Sequence, residues 1–143
     1  MSKDLGRSID YLETRHDINS DGIAYYGLSW GGMIGPIMLA VEDRIKVGIL
    51  VVGGFYNEKF PLATDPFDFA PRVRVPVLMV NGKEDHIFPF ETAQRPLYEL
   101  LGTPDGDKAH IVYPGGHGVM GVFGSQMRGD ILAWLDRYLG PVD

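Results

Sequence analysis

One segment of the chain, residues 45–52, is an almost unbroken apolar run. A strand with one face in water alternates apolar and polar residues, so a run of this kind is typical of a strand covered by helices on both faces. Other apolar runs indicate three further strands, over residues 23–28, 73–80 and 110–113. Helical spacing or helix-forming composition predicts helices over residues 3–15, 31–42, 90–101 and 125–139. We therefore predict an α/β fold with a small parallel sheet of about four strands flanked by helices.

The composition limits the classes of partner. Thirteen basic and nineteen acidic side chains give a formal net charge of −6, which argues against nucleic acid or an anionic membrane surface as partner. No stretch approaches the ~18 apolar residues of a membrane span, and the polar first residues do not resemble a signal peptide. We expect one cytoplasmic domain over residues 1–143.

Metal and thiol chemistry receive little support from the sequence. The chain has no cysteine, which excludes disulfides, thiolate zinc sites and a cysteine nucleophile. Its four histidines show neither i, i+4 nor H-x-H spacing, so they do not predict a metal site. We expect no metal and no cofactor.

A G-x-S-x-G pattern, formed by residues 27–31, joins the first strand to the helix that follows. In this pattern the serine occupies a sharp turn that exposes its hydroxyl, and the neighbouring strand and helix leave no room for side chains at the flanking glycines. The amides and the positive dipole end of the helix then face any negative charge that develops beside the serine. The pattern predicts Ser29 as a nucleophile.

Polar segments follow the third and fourth predicted strands. Such folds place their active sites at these carboxyl ends of the strands. A serine hydroxyl needs a base to take its proton, and the base needs a carboxylate to orient it. Asp85 is the candidate acid, with Glu84 as competitor, and His117 among glycines is the candidate base. The remaining histidines are less suited, since they precede Ser29, precede the fourth strand or lie within it: His16, His86 and His110.

The G-x-S-x-G pattern, residues 81–85 after the third strand and the glycine-flanked His117 together resemble the α/β-hydrolase superfamily. The likeness is closer to its prolyl-oligopeptidase and dienelactone-hydrolase-like esterase branches. It covers the whole chain but only the latter part of the family's fold, which implies a single catalytic domain without the usual N-terminal strands. The resemblance also implies Ser29 as nucleophile, Asp85 as acid and His117 as base. It further implies that the backbone amide of Trp30 contributes to the oxyanion hole.

The missing part of the fold has two expected consequences. In complete members a second oxyanion donor comes from an upstream loop, so the isolated chain is expected to be a weak catalyst. The first strand would also become a sheet edge with exposed apolar residues. We therefore expect a homo-oligomer, or a partner that completes the fold.

The resemblance implies a carboxylesterase that cleaves short-chain acyl esters through an acyl-enzyme. The aromatic residues of segment 55–69 either line its acyl pocket or fill the core beneath a long loop. Two alternatives stay open: a serine peptidase of the oligopeptidase type, and a non-catalytic interaction module that needs a partner to complete its fold.

Overall fold

Strands and helices alternate along the chain in the computed structural model, which describes residues 2–56, 60–61 and 64–141. The strands are β1 (Ile23–Leu28), β2 (Ile45–Val51), β3 (Val77–Gly82) and β4 (Lys108–Tyr113). The helices are α1 (Ser2–Glu13), α2 (Trp30–Val41), α3 (Pro66–Phe69), α4 (Arg95–Leu100) and α5 (Met120–Leu139). A π-helical turn over Phe90–Gln94 leads directly into α4. No helix among these residues is long and apolar enough to cross a membrane.

The four strands form one parallel sheet in the order β1-β2-β3-β4. The register pairs Ile49 of β2 with Leu78 of β3, and Leu78 with Ala109 of β4. Every residue of β2 except Lys46 is buried, as is every residue of β3. The predicted α/β class with a small, helix-flanked parallel sheet is therefore confirmed.

Side chains that alternate along the central strands divide the core into two layers. Leu50 and Met79 point to one face of the sheet, where Ile9 of α1, Leu39 of α2 and Leu97 of α4 pack against them. The opposite face presents other strand residues to a single helix, α5, through a separate apolar cluster. Helices α1, α2 and α4 thus pack on one face of the sheet and α5 on the other.

Prolines account for two differences between the predicted and observed elements. The predicted strand 73–80 begins only at Val77, because Pro76 has no amide hydrogen; the ladder starts where the Pro76 carbonyl accepts from the Gly48 amide at 2.8 Å. The predicted helix 90–101 is divided into a π-helical turn and α4. Pro96 lies in the first turn of α4, where an amide hydrogen is not needed.

The helix after Ser29 agrees with the predicted range 31–42, since α2 runs from Trp30 through Pro36 to Val41. The last helix begins at Met120 rather than near residue 125, with a non-helical backbone at Phe123.

The first strand lies at the edge of the sheet, as expected from the sequence. Among the described residues, β1 pairs with β2 alone. Tyr26 and Leu28 of β1 are 50% and 46% exposed, and Val122 and Leu132 of α5 are 76% and 58% exposed. A cleft of about 290 Å³ lies between Tyr26 and Leu132. Apolar side chains therefore remain uncovered on the α5 side of the β1 edge.

Candidate active site

Ser29 occupies the turn between the last residue of β1 and the first residue of α2. Its backbone adopts φ 53° and ψ −106°, a left-handed conformation that costs free energy for a residue other than glycine. The turn is fixed on both sides, because the Ser29 amide donates to the Val51 carbonyl at 2.8 Å and the Ser29 carbonyl accepts from the Met33 amide at 2.9 Å. The side chain is thereby held at the carboxyl end of the sheet.

The approach of β1 to α2 explains Gly27, the first glycine of the pattern, whereas a Cβ atom on Gly31 would make only an ordinary contact, 3.7 Å from the Tyr25 hydroxyl. A Cβ atom on Gly27 would lie 2.3 Å from the carbonyl oxygen of Gly31. The hydroxyl of Tyr25 donates to that same carbonyl at 2.7 Å, and burial raises the pKa of Tyr25 to about 12. Tyr25 thus ties the start of α2 to β1. This role of Tyr25 was not predicted from the sequence, since a tyrosine within an apolar strand is typical of an ordinary core residue.

Asp85 lies in the loop that follows β3 and is only 2% exposed. Its Oδ1 accepts from the amides of Ile87 and Phe88 at 2.9 and 3.1 Å, while its Oδ2 lies 2.8 Å from Nδ1 of His117. The competing acid, Glu84, is exposed and accepts a hydrogen bond from the Gly115 amide instead. The structure therefore brings Asp85 to the imidazole, while Glu84 ties together the loops that carry Asp85 and His117.

His117 joins the candidate acid to the candidate nucleophile. Its Nε2 lies 2.8 Å from Oγ of Ser29, on the side of the ring opposite the contact with Asp85. Because a carboxylate only accepts, Nδ1–H donates to Asp85, and Nε2 of the neutral ring is free to accept from the serine hydroxyl. The ring of Phe88 packs beside the imidazole, with centroids 5.9 Å apart.

Backbone contacts hold the His117 loop against the end of β3. The Lys83 amide donates to the Tyr113 carbonyl and the Glu84 amide to the Gly115 carbonyl, both at 2.9 Å. A Cβ atom on Gly82 would lie only 2.3 Å from the Gly116 carbonyl oxygen. The absence of a side chain at Gly82 therefore lets the two loops meet.

The remaining histidines do not take part in the contacts that join Ser29, His117 and Asp85, although His86 lines a cleft near Asp85. His16 and His86 are exposed, whereas His110 contacts the rings of Phe90 and Tyr98 and hydrogen-bonds Asn81 Oδ1 at 3.0 Å through Nε2. Burial lowers the pKa of His110 to about 4. In the part of the chain that the structure describes, no group of three or more His, Asp or Glu side chains is arranged to hold a metal ion.

Trp30 is the first residue of α2, directly after Ser29. Amides in the first turn of a helix have no intrahelical partner, so the Trp30 N–H is available to an oxygen bound beside the serine. The Trp30 side chain is exposed and meets Phe60 edge to face, with ring centroids 6.4 Å apart.

The aromatic segment after β2 contributes both to the core and to a surface cleft. Phe55 packs against the core cluster and against the ring of Phe67 at 5.3 Å. Phe55 and Tyr56 also line a cleft of about 400 Å³ together with Ile87. Tyr56 contacts Phe88, the residue that packs beside His117. Residues 57–59 and 62–63 of this segment lie outside the described residues.

Comparison with known proteins adds relatives of similar fold, although no family model matches the chain. A curated protein, a putative carboxymethylenebutenolidase of Yersinia pestis, is 29% identical over 102 residues, which cover 71% of this chain and 38% of that protein. A zinc-bound cold-adapted esterase from an Arctic intertidal metagenomic library is 25% identical with a TM-score of 0.77, covering 96% of this chain and 57% of the esterase. The chain thus spans about half the length of the esterase, and less of the curated relative.

An acylaminoacyl peptidase of Pyrococcus horikoshii shares the fold with a TM-score of 0.77 at 18% identity, and the match covers 97% of this chain and 28% of the peptidase. The peptidase and the esterase both share the fold of this chain, and the esterase is also 25% identical to it in sequence. The chain therefore has the α/β-hydrolase fold and resembles the C-terminal half of the prolyl-oligopeptidase and dienelactone-hydrolase-like serine esterases.

Proposed function

We propose that the chain is a serine hydrolase, a carboxylesterase that cleaves short-chain acyl esters through an acyl-enzyme. The observation that carries this proposal is the pair of 2.8 Å contacts joining Ser29 Oγ to His117 Nε2, and His117 Nδ1 to Asp85 Oδ2. This order of hydroxyl, imidazole and carboxylate is what nucleophilic catalysis by serine requires.

In the first half of the proposed reaction, Ser29 Oγ attacks the ester carbonyl while its proton passes to Nε2 of His117. Asp85 stabilises the resulting imidazolium through Nδ1. The negative charge on the carbonyl oxygen meets the Trp30 amide and the positive end of the α2 dipole. When the tetrahedral intermediate collapses, the alcohol leaves with the proton from His117, and the acyl group stays on Ser29.

In the second half of the proposed reaction, water takes the place of the alcohol and hydrolyses the acyl-enzyme. His117 takes a proton from the water as it attacks the acyl carbonyl, and returns that proton to Ser29 Oγ when the acid leaves. Ser29 and His117 are only half-buried, so water can reach the acyl carbonyl.

A modest cleft lined by His86 and Ile87, which directly follow Asp85, supports a preference for small acyl groups. Its volume is about 400 Å³, and apolar Phe55 and Ile87 share its lining with the polar groups of Tyr56, His86 and Thr92. The curated relative's name refers to a butenolide, a cyclic ester, whose opening uses the same acyl transfer to a nucleophile. We therefore include lactones with open-chain esters in the proposed substrate class.

Two other functions are alternatives to the esterase. A peptidase of the oligopeptidase type would cleave amides as well as esters. A non-catalytic module would leave Ser29 unreactive. Because the chain spans about half of the esterase it resembles, we also propose that a second copy or a partner completes the fold.

The test is hydrolysis of p-nitrophenyl acetate and butyrate by the purified chain beside its Ser29→Ala variant. We expect turnover by the wild type and loss of at least about a thousandfold in kcat for the variant. Ser125→Ala, at an exposed serine of α5, serves as the matched control and should retain full activity. Equal rates in wild type and Ser29→Ala would refute the assignment of the nucleophile.

A further inference from the structure

Gln94, the last residue of the π-helical turn, is completely buried and faces the loop that carries Asp85. Its Nε2 donates two hydrogen bonds, to the Gly82 carbonyl at 2.8 Å and to the Phe88 carbonyl at 2.7 Å. Gly82 is the last residue of β3, and Phe88 lies three residues beyond Asp85. One side-chain amide thus connects the two ends of loop 82–88.

The amide is present at a cost in free energy. Both of its partners are carbonyl oxygens, so the nitrogen must face them and the oxygen must face away. That oxygen, Oε1, is buried without a hydrogen-bond partner among the described residues. An unpaired buried acceptor is destabilising, and a methionine would fill a similar volume without it. Packing alone therefore does not account for a glutamine at this position, whereas its two donated hydrogen bonds do.

Phe88 connects the Gln94 contact to the candidate acid. The Phe88 amide donates to Asp85 Oδ1 at 3.1 Å, and the carbonyl of the same residue accepts from Gln94. The Ile87 amide also donates to Oδ1, at 2.9 Å, which leaves Oδ2 directed at His117. The carboxylate is oriented by the loop backbone, and the loop is closed at its base by Gln94.

We propose that Gln94 is a positioning residue, which keeps the Asp85 carboxylate aligned with His117 by clamping loop 82–88 between its two ends. This inference rests on the proposed function, because it assigns Gln94 a part in orienting the acid of that same site. Gln94 does not touch the substrate. Its effect is exerted through Asp85 and then through the imidazole.

The kinetic test compares Gln94→Met with Thr103→Val. Thr103 is buried like Gln94 and donates one hydrogen bond, to the Val75 carbonyl at 2.7 Å. Val75 precedes the start of β3, whereas Asp85 follows the end of that strand. We expect Gln94→Met to lower kcat for p-nitrophenyl butyrate between about tenfold and a hundredfold, with KM changed less than about twofold. Thr103→Val should lose stability but keep its kcat. Equal losses of kcat in the two variants would overturn the proposal, since general destabilisation would then explain both.

A spectroscopic readout separates this inference from the proposed function. The proton between His117 Nδ1 and Asp85 gives a downfield imidazole resonance when the carboxylate is aligned. We expect that resonance in the wild type and in Thr103→Val, and expect it to be broadened or lost in Gln94→Met. If no variant or wild type hydrolyses esters yet this pattern is observed, the proposed function fails and the positioning role stands. An unchanged resonance in a folded Gln94→Met protein refutes the positioning role alone.

A measurement on the unaltered chain keeps the proposal testable if Gln94→Met does not fold. The two Nε2 hydrogens of Gln94 should exchange slowly with water, because both are donated to buried carbonyl groups. Rapid exchange of these hydrogens in the folded wild type would overturn the clamp.

Discussion

Ser29, Asp85 and His117 lie far apart in the sequence, since His117 follows Ser29 by 88 positions and Asp85 by 32. Each is placed by a different strand end, and parallel strands bring those ends to the same edge of the sheet. The type of side chain and its position after a strand were visible in the sequence. The choice of Asp85 over Glu84 as the group facing His117 depended on how the loop turns.

The two acids can be separated by amide substitution. Asp85→Asn keeps the shape of the side chain but removes the charge that stabilises the imidazolium, so we expect kcat to fall about 10³–10⁴-fold. Glu84→Gln weakens only the tie to Gly115 and should cost less than about tenfold. The kcat of each variant with p-nitrophenyl butyrate shows which of the two acids supports catalysis. A Glu84→Gln variant as inactive as Asp85→Asn, or an active Asp85→Asn, would contradict the assignment.

His110 gives a prediction on the pH dependence of stability. Burial lowers its pKa from 6.5 to about 4, so between these values the unfolded chain binds a proton that the folded chain does not. The free energy of unfolding should therefore fall as the pH decreases from about 6.5 to 4, with a contribution from His110 on the order of 2 kcal/mol. Urea unfolding at several pH values measures this.

His110→Gln is the matched control for that experiment, because it keeps a polar group near Asn81 but cannot take up a proton. The loss of stability between pH 7 and 4 should be smaller in His110→Gln than in the wild type. Identical pH profiles for the two proteins would show that His110 is not protonated on unfolding.

At the scale of elements, Gly82 determines how closely the Asp85 and His117 loops meet. A Cβ atom there would lie 2.3 Å from the Gly116 carbonyl oxygen and 2.4 Å from that of Gly115. Gly82→Ala should therefore displace the His117 loop and lower kcat by about a hundredfold, as small misplacements of catalytic groups do. Steady-state rates with p-nitrophenyl butyrate provide the measurement.

Gly129→Ala in α5 is the control for Gly82→Ala, since a Cβ atom at Gly129 meets no atom within 4 Å. A glycine inside a helix is destabilising relative to alanine, so this variant should be more stable by about 0.5–1 kcal/mol and fully active. Full activity of Gly82→Ala would mean that catalysis tolerates separation of the two loops, which contradicts the role assigned to Gly82.

The sequence predicted an element better where neighbouring residues determine it than where distant contacts do. β2 ends close to where its apolar run ends, because burial defines that strand. β1 also keeps its predicted bounds, although Gly27 alone among its residues is buried. The roles of Tyr25 and Gln94 were not predictable, since each depends on a backbone carbonyl that the fold brings near. The start of α5 at Met120 was missed because glycines at 121 and 124 lower the helical propensity there.

At the scale of the whole molecule, the exposed apolar side chains near β1 favour contact with another protein surface. Tyr26, Leu28, Val122 and Leu132 are all well exposed on the α5 side of the sheet. Exposed apolar patches and free strand edges favour association, so we expect the purified chain to form homo-oligomers unless a fold-completing partner is present. Light scattering after size-exclusion chromatography measures the mass directly.

A negative charge introduced among these exposed apolar residues tests whether the chain associates through them. Leu132→Glu should shift the chain towards monomer, whereas Tyr11→Glu, at a similarly exposed residue of α1, should leave the oligomeric mass unchanged. A wild-type chain that is monomeric at all concentrations, or a Leu132→Glu variant that associates as strongly as wild type, would contradict this expectation.

The central claim is that Ser29 is a nucleophile activated by His117. Its most direct measurement is the intact mass and the modified site after treatment with a fluorophosphonate probe, in wild type and in His117→Ala. We predict one adduct per chain, located on Ser29, and labelling slowed by at least about a hundredfold in His117→Ala. Folded wild type without an adduct on Ser29, or equal labelling of both proteins, would contradict this claim.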